Sequence, residues 1–330
     1  MFPVAVPFHQ PGWARVPSAL RMRLLLLVNT SASSVTARGR VVIQKALSAD
    51  HDVHVAETGR RGHATRLAIG AAADGVDVVV ALGGDGTLNE AANGLAGTAT
   101  ALGVLPGGST NVFARTIGLA NDPIEATGQL LAALARPASI RRIGLASLNG
   151  RYFLFNAGIG FDAAVISQVE RRSGLKRWAG HPLFVYAGFA TWFRHYDRTR
   201  PRLAVAFEDG SKVGDGYFLL ALNSDPYTFL GNRPLHIAPE ATLDRAMAVA
   251  TFRTISFFPF LRIIASALGY GRPVGSQRRL DLRTDVEAFR VRSLGGGGLP
   301  FQVDGDYLGE VEQAEFRHEP DVLRLVMPGA

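Results

Sequence analysis

Cysteine is absent from the 330 residues, so neither a disulfide nor a thiolate-ligated metal centre has a place in this chain. Lysine is nearly absent: Lys45, Lys176 and Lys212 are the only ones, and arginine carries almost all of the formal net charge of +7. No dense basic run interleaved with aromatics occurs, which sets nucleic acid aside as a partner. The positive excess fits an anionic ligand or an anionic membrane surface instead. No apolar run approaches the roughly 20 residues of a membrane span, and Leu24 to Val28 is too short for a signal-peptide core. The eight histidines show no H-E-x-x-H pattern, so a structural metal site is not expected. What is left is a cytoplasmic chain of ordinary globular balance, 47% hydrophobic and 19% charged, long enough for two domains. Residues 1–21 hold Pro3, Pro7, Pro11, Gly12 and Pro17 without a period and read as a disordered tail, or else as the product of an upstream start codon with Met22 as the true beginning.

Against this background one stretch stands out. From Asp77 to Glu90 a β-branched apolar run, Val78 to Leu82, breaks into Gly83-Gly84-Asp85-Gly86-Thr87, and a helical pattern follows at Leu88, Ala91, Ala92 and Leu95. Strand, tight loop and helix start are the parts of a phosphate site: glycines supply φ > 0 and a bare backbone, and the helix N-terminus points free N–H groups at the anion. Thr87 and Glu90 have the spacing of a capping box. Asp85 is out of place beside a phosphate unless a cation lies between them or a proton has to be removed. A plain turn would explain Asp85 as well, but not the strand before it and the capped helix after it.

The first half alternates buried strands (Leu24–Val28, Val53–Ala56, Val78–Leu82, Ala101–Leu105) with helices, the pattern of an α/β doubly wound parallel sheet whose ligands sit at the C-terminal strand ends. The loops at those ends are small and polar: Asn29-Thr30-Ser31 after the first strand, Thr58 to Ala64 after the second, and Gly107-Gly108-Ser109-Thr110-Asn111 after the fourth. One such loop is an ordinary turn; four at one crevice point to a nucleotide. From Ser139 the pattern changes to antiparallel strands, with Asn149-Gly150 as a hairpin turn, and reads as a second domain of β-sandwich type. Two helical stretches interrupt it, an aromatic-rich one over about 163–195 and one with Pro259 at its first position, read as lining a cleft and as covering the sandwich respectively. Gly295 to Gly298 reads as a flexible hairpin connection.

Gly83 to Thr87 with Asn89-Glu90 resembles the signature of the diacylglycerol kinase catalytic domain superfamily, and more distantly the loop of NAD kinases and phosphofructokinases. Thr58 with Gly62-His63-Ala64, and Gly108, Thr110 and Asn111 followed by Phe113-Ala114-Arg115, resemble two further segments of that superfamily. The first loop departs from its Asn-Pro-x-Ser-Gly, keeping only Asn29, with Thr30 and Ser31 available in its place. The change of pattern near Ala138 sets a nucleotide-binding domain over 22–138 and, as the resemblance implies, a lipid-substrate domain over 139–330, with the last strand able to return to the first. ATP would be bound by Asn29, Thr30, Ser31, Thr58, Gly83, Gly84, Gly86, Thr87, Asn89, Glu90, Gly108, Thr110 and Asn111. Arg115 reads equally as a helix-surface arginine. Asp244, after Pro239-Glu240-Ala241, resembles a Mg²⁺-holding aspartate, although Arg245 and Ala246 replace the residues usual after it. Asp304-Gly305-Asp306 resembles an Asp-Gly-Glu whose last carboxylate is the general base; here Asp306 is one methylene shorter, and on spacing alone the segment is a β-turn.

The implied activity is an ATP- and Mg²⁺-dependent transfer of phosphate to a lipid hydroxyl, with Asp85 and Asp306 as the catalytic carboxylates and diacylglycerol as the acceptor. The lipid would be met by peripheral contact with the membrane, and a homodimer is allowed. Other acceptors (a sphingoid base, ceramide, phosphatidylglycerol) and a nucleotide-binding regulator without turnover stand as alternatives.

Overall fold

The computed structural model describes residues 21–170 and 199–329. The tail over 1–20 and the aromatic run from Trp178 to Phe193 lie outside the described residues. Four parallel strands open the chain: β1 (Arg23–Val28), β2 (Asp52–Glu57), β3 (Val78–Gly83) and β4 (Ala101–Pro106), in the order β2-β1-β3-β4. Every residue of β3 and β4 is buried, as continuous apolar runs in a sheet covered on both faces must be. Helices α2 (His63–Ala73) and α3 (Asp85–Leu95) pack together, as do α1 (Ala37–Asp50) and α5 (Pro123–Leu134), with the short α4 (Val112–Thr116) between. Right-handed crossovers put the first pair on one face of the sheet and the second pair on the other. The chain leaves β1 in one direction for β2 and returns on its other side as β3, so the topological switch point lies between β1 and β3.

The second half is a β-sandwich. One sheet holds β5 (Ile140–Leu148), β6 (Arg151–Phe153), β8 (Leu203–Phe207), β9 (Lys212–Gly216), β15 (Ala288–Ser293) and β18 (Gln313–Val326). The other runs β14 (Leu280–Val286), β13 (Met247–Phe252), β10 (Phe218–Leu222), β7 (Asn156–Ile159), β16 (Leu299–Val303), β17 (Asp306–Val311). Between the sheets Phe153, Phe289 and Phe316 are fully buried, the last two stacked at 4.4 Å between centroids. On the outer face of the second sheet, α6 (Phe161–Glu170) and α7 (Phe257–Ala267) enclose Phe161, Phe218, Phe252 and Phe260, and a hairpin of β11 (Thr228–Leu230) and β12 (Arg233–Leu235) lies beside them. Asn149 and Gly150 take φ of 49° and 81°, as a two-residue hairpin turn requires.

The last strand does return to the first half: β18 pairs with β15 and β5 and then, at Arg324 and Leu325, parallel with Ala101 and Leu102 of β4, so the two halves share one ten-stranded sheet. Several local expectations give way. The stretch Val213 to Leu222 is two strands, one in each sheet, with Tyr217 between them. Gly295 to Gly298 is a crossing from β15 in one sheet to β16 in the other rather than a hairpin. Helix α7 begins two residues before Pro259, after Ser256. Ser266 of the same helix is buried, donating to the Arg262 carbonyl and accepting from Gln277 Nε2.

Candidate active site

The four polar loops meet at the strand ends over the switch point and wall a cavity of about 690 Å³. Asn29, Ser31, Thr58, Gly84, Asp85, Gly86, Thr87, Glu90, Gly108, Thr110 and Asp306 line it, with Arg60, Arg61 and Asp304. The loop glycines serve close approach rather than unusual backbone: Gly84 has φ of −83° as the residue before α3, and Gly83 and Gly86 are not among the glycines with positive φ. A Cβ on Gly83 would lie 2.7 Å from Thr87 Oγ1, and one on Gly107 2.8 Å from Gly83 Cα. The β3 and β4 loops are thus in backbone contact, joined by the Gly107 N–H donating to the Gly83 carbonyl at 2.8 Å. Gly107→Ala is expected to lower stability by about 1–3 kcal/mol, the usual cost of overpacking. Gly59→Ala, whose Cβ would meet nothing within 4 Å, should melt like the wild type; a thermal melt of both checks the pair.

Asp85 opens α3 yet turns its carboxylate to the next helix, accepting from the Val112 N–H at 3.0 Å and the Phe113 N–H at 3.1 Å. Burial pushes its pKa up, the two amides oppose this, and the nearby Asp306 carboxylate pushes it up further. Asp306, at the start of β17, faces Gly86, where a Cβ would lie 3.2 Å from Asp306 Oδ2. The cation beside it is Arg61, 3.3 Å away and more than half exposed. Two carboxylates therefore flank the first turn of α3 inside the cavity.

The remaining expected ligands divide. Asn29 lines the cavity, but its Nδ2 donates to Thr87 Oγ1 and its Oδ1 accepts from the Ser31 N–H, which shapes the loop. Glu90 does not close a capping box with Thr87; its carboxylate accepts from the Gly62 and Ala64 N–H groups and so caps α2. Asn89 is buried and fully engaged, donating to the Tyr152 carbonyl and Asp304 Oδ2 and accepting from Arg151 Nη2. Asn111, at φ of 50°, is held to Gly108 and to Asn121 Oδ1. These two are braces, and with Thr30 and Gly83 they stand outside the cavity lining. Asp244 is also elsewhere: its side chain is 60% exposed and paired with Arg141 at 2.5 Å. Among the described residues no group of three or more His, Asp or Glu is arranged to hold a metal ion. A Mg²⁺ held by one or two carboxylates with substrate phosphates supplying the rest fits the Asp85 and Asp306 pair and does not fit Asp244. Arg115 is a strut between the halves, donating to the Gly231 carbonyl at 3.0 Å with its guanidinium 3.6 Å from the centre of the Phe229 ring.

Sequence spacing passes over Asp304. It is buried at φ of 47°, and its carboxylate accepts from the Leu154, Phe155 and Asn156 N–H groups and from Asn89 Nδ2. Burial pushes its pKa up to about 7 in spite of those four donors. From Asp304 a chain of hydrogen bonds leads away from the nucleotide-sized cavity. Gln302 accepts from the Gly305 N–H and donates to Asn156 Oδ1 and Asp162 Oδ2, and Asp162 accepts from the Tyr227 hydroxyl. Asp162 and Tyr227 stand at the wall of a second cavity, about 410 Å³ and almost wholly apolar, between the second sheet and α7. The sequence points to a cleft along 163–195 and reads the Pro259 helix as cover, whereas this cavity lies under that covering helix.

A polar crevice and an oily cavity joined by one network define the class: a nucleotide-dependent kinase with an apolar acceptor. The family model of the diacylglycerol kinase catalytic domain matches residues 23–143. A diacylglycerol kinase of Bacillus subtilis is 30% identical over 291 residues, 87% of this chain and 89% of that protein. A "Probable lipid kinase YegS-like" protein of Pseudomonas aeruginosa is 29% identical over 324 residues, 92% of this chain and 94% of that protein. The fold is that of a diacylglycerol kinase crystal structure from Bacillus anthracis, with a TM-score of 0.68 at 18% identity, covering 93% of this chain and 97% of that one. The chain belongs to the diacylglycerol kinase catalytic domain family and is an ATP-dependent lipid kinase. No helix of the described residues is long and apolar enough to cross a membrane.

Proposed function

We propose that this kinase phosphorylates diacylglycerol, giving phosphatidic acid, with the triphosphate in the glycine-walled cavity and the acyl chains directed to the apolar one. The observation that carries the reading is the position of Asp306: a partly exposed carboxylate at the first turn of α3, two residues from the start of the network that ends at the apolar cavity. In the transfer, Asp306 accepts the proton of the lipid hydroxyl as its oxygen bonds to the γ-phosphorus and the bond from that phosphorus to the β,γ-bridging oxygen breaks, leaving ADP. The N-terminus of α3 and the loop amides favour the phosphate charge. Asp85 fixes α4 against the loop and, with phosphate oxygens, would hold a Mg²⁺, which when bound neutralises charge on those oxygens.

Transfer of labelled γ-phosphate from ATP to separate diacylglycerol, sphingoid base, ceramide and phosphatidylglycerol tests the acceptor. The expected result is labelled phosphatidic acid at the highest kcat/KM. Preferential labelling of another lipid would overturn the choice of diacylglycerol.

A further inference from the structure

The large apolar side chains exposed in the described chain are unevenly placed. Every aromatic one among them, Phe257 (41%), Phe258 (79%) and Tyr270 (54%), lies at α7 or just after it, joined by Leu261 of the same helix and Leu230 of the β11–β12 hairpin. Phe257, Leu261 and Leu230 also line the apolar cavity, so the exposed patch is its mouth. Arg233 of the hairpin bonds to the Tyr270 hydroxyl, which fastens hairpin and helix into one surface. Neither Phe257 nor Phe258 is needed to bury the helix, which is held by Phe260, Ile263 and Ala267.

Charge is as uneven as hydrophobicity. Residues 226–239 and 254–280 contain no Asp or Glu, while Arg233, Arg262 and Arg272 are all exposed. An apolar face whose hairpin and helix segments carry arginines and no carboxylate fits an anionic phospholipid surface: the rings enter the boundary between headgroups and acyl chains and the guanidinium groups stay among the phosphates. We propose that the first turn of α7 and the β11–β12 hairpin seat the protein on an anionic bilayer, Phe258 entering it and the cavity mouth opening onto its acyl region. This deepens the lipid-kinase reading by giving the substrate a route from the membrane into the apolar cavity without crossing water.

The test uses the full chain and a Phe258→Ser, Arg262→Glu variant; neither residue lines either cavity, and both side chains are exposed. Vesicles of phosphatidylcholine mixed with phosphatidylglycerol should sediment the wild type, vesicles of phosphatidylcholine alone should do so more weakly, and the variant should need about tenfold or more anionic lipid for half-binding. On short-chain diacylglycerol below its micellar concentration the two proteins should turn over equally, while on vesicle-borne diacylglycerol the variant should lose a similar factor. Wild type that ignores anionic vesicles, or a variant that binds them undiminished, overturns the proposal. So does a wild-type dimer in the absence of lipid that the same substitutions dissociate, because the patch would then be covered by a second copy. Vesicle binding that the substitutions abolish, with phosphate transferred to a lipid other than diacylglycerol, would uphold the docking surface and count against the diacylglycerol assignment alone.

Discussion

Asp306→Asn is expected to fold normally and to lose roughly 10²–10⁴-fold in kcat, the usual contribution of a general base. The amide keeps the size of the carboxylate and can still accept from Arg61, but it cannot take a proton from an attacking hydroxyl. Its ion pair with Arg61 involves a side chain more than half exposed, so losing that pair should cost little stability. The KM for ATP should stay near the wild-type value if the triphosphate is held by the α3 N-terminus and the loops. Turnover at wild-type speed would remove Asp306 from the reaction. Asp85→Asn is a less clean probe than the sequence suggests. Both Asp85 oxygens accept backbone N–H groups, and an amide would set an NH₂ against one of them. That variant should lower stability as well as activity.

The second large effect is structural. Asp304→Ala removes the common acceptor of the Leu154, Phe155 and Asn156 N–H groups and of Asn89, leaving buried donors unpaired. Each such group costs about 1–3 kcal/mol, so the loss should reach roughly 3–5 kcal/mol, a large part of a domain's net stability. Chemical denaturation measures it, and a change below about 1 kcal/mol would mean that the donors find other partners. Asp304→Asn keeps one acceptor oxygen and should fall between. It also isolates a pH effect: with the folded pKa raised to about 7 from an ordinary 3.8, the fold binds the proton more tightly than the unfolded chain does. The stability linked to that proton is fully present below the ordinary value and is lost as pH rises through about 7. The stability of the wild type relative to Asp304→Asn should therefore decline from pH 4 to pH 7. A difference that grows with pH over that range would show that the four donors outweigh burial.

The parallel half was legible because its signal is local. Runs such as Val78 to Leu82 are buried on both sides of one sheet and can hardly be anything but strands. Helix α1 was harder, since Val41 and Val42 lie exposed while only Ile43 and Leu47 face the core. The site was legible as a neighbourhood but not in its division of labour. Asn89 and Glu90 follow a glycine loop and have the chemistry of ligands, yet the groups they serve lie 215 and 28 residues away, at Asp304 and Gly62. Spacing within one motif carries no information about such partners. For the same reason Asp304 looked like half of a turn. The course of β18 was hidden by His318-Glu319-Pro320-Asp321, a polar interruption where the register shifts and Asp321 takes φ of 54°.

That long terminal strand has a mechanical consequence. Hydrogen-bonded to β15 and β5 in one half and to β4 in the other, it is a spine common to both. A hinge that swung the halves apart about the crevice would have to bend or unzip it, so they should move as one body. Entry and exit of nucleotide then fall to the rim, where Arg61 reaches across to Asp306, and turnover would be paced by side chains and loops instead of by a closing jaw.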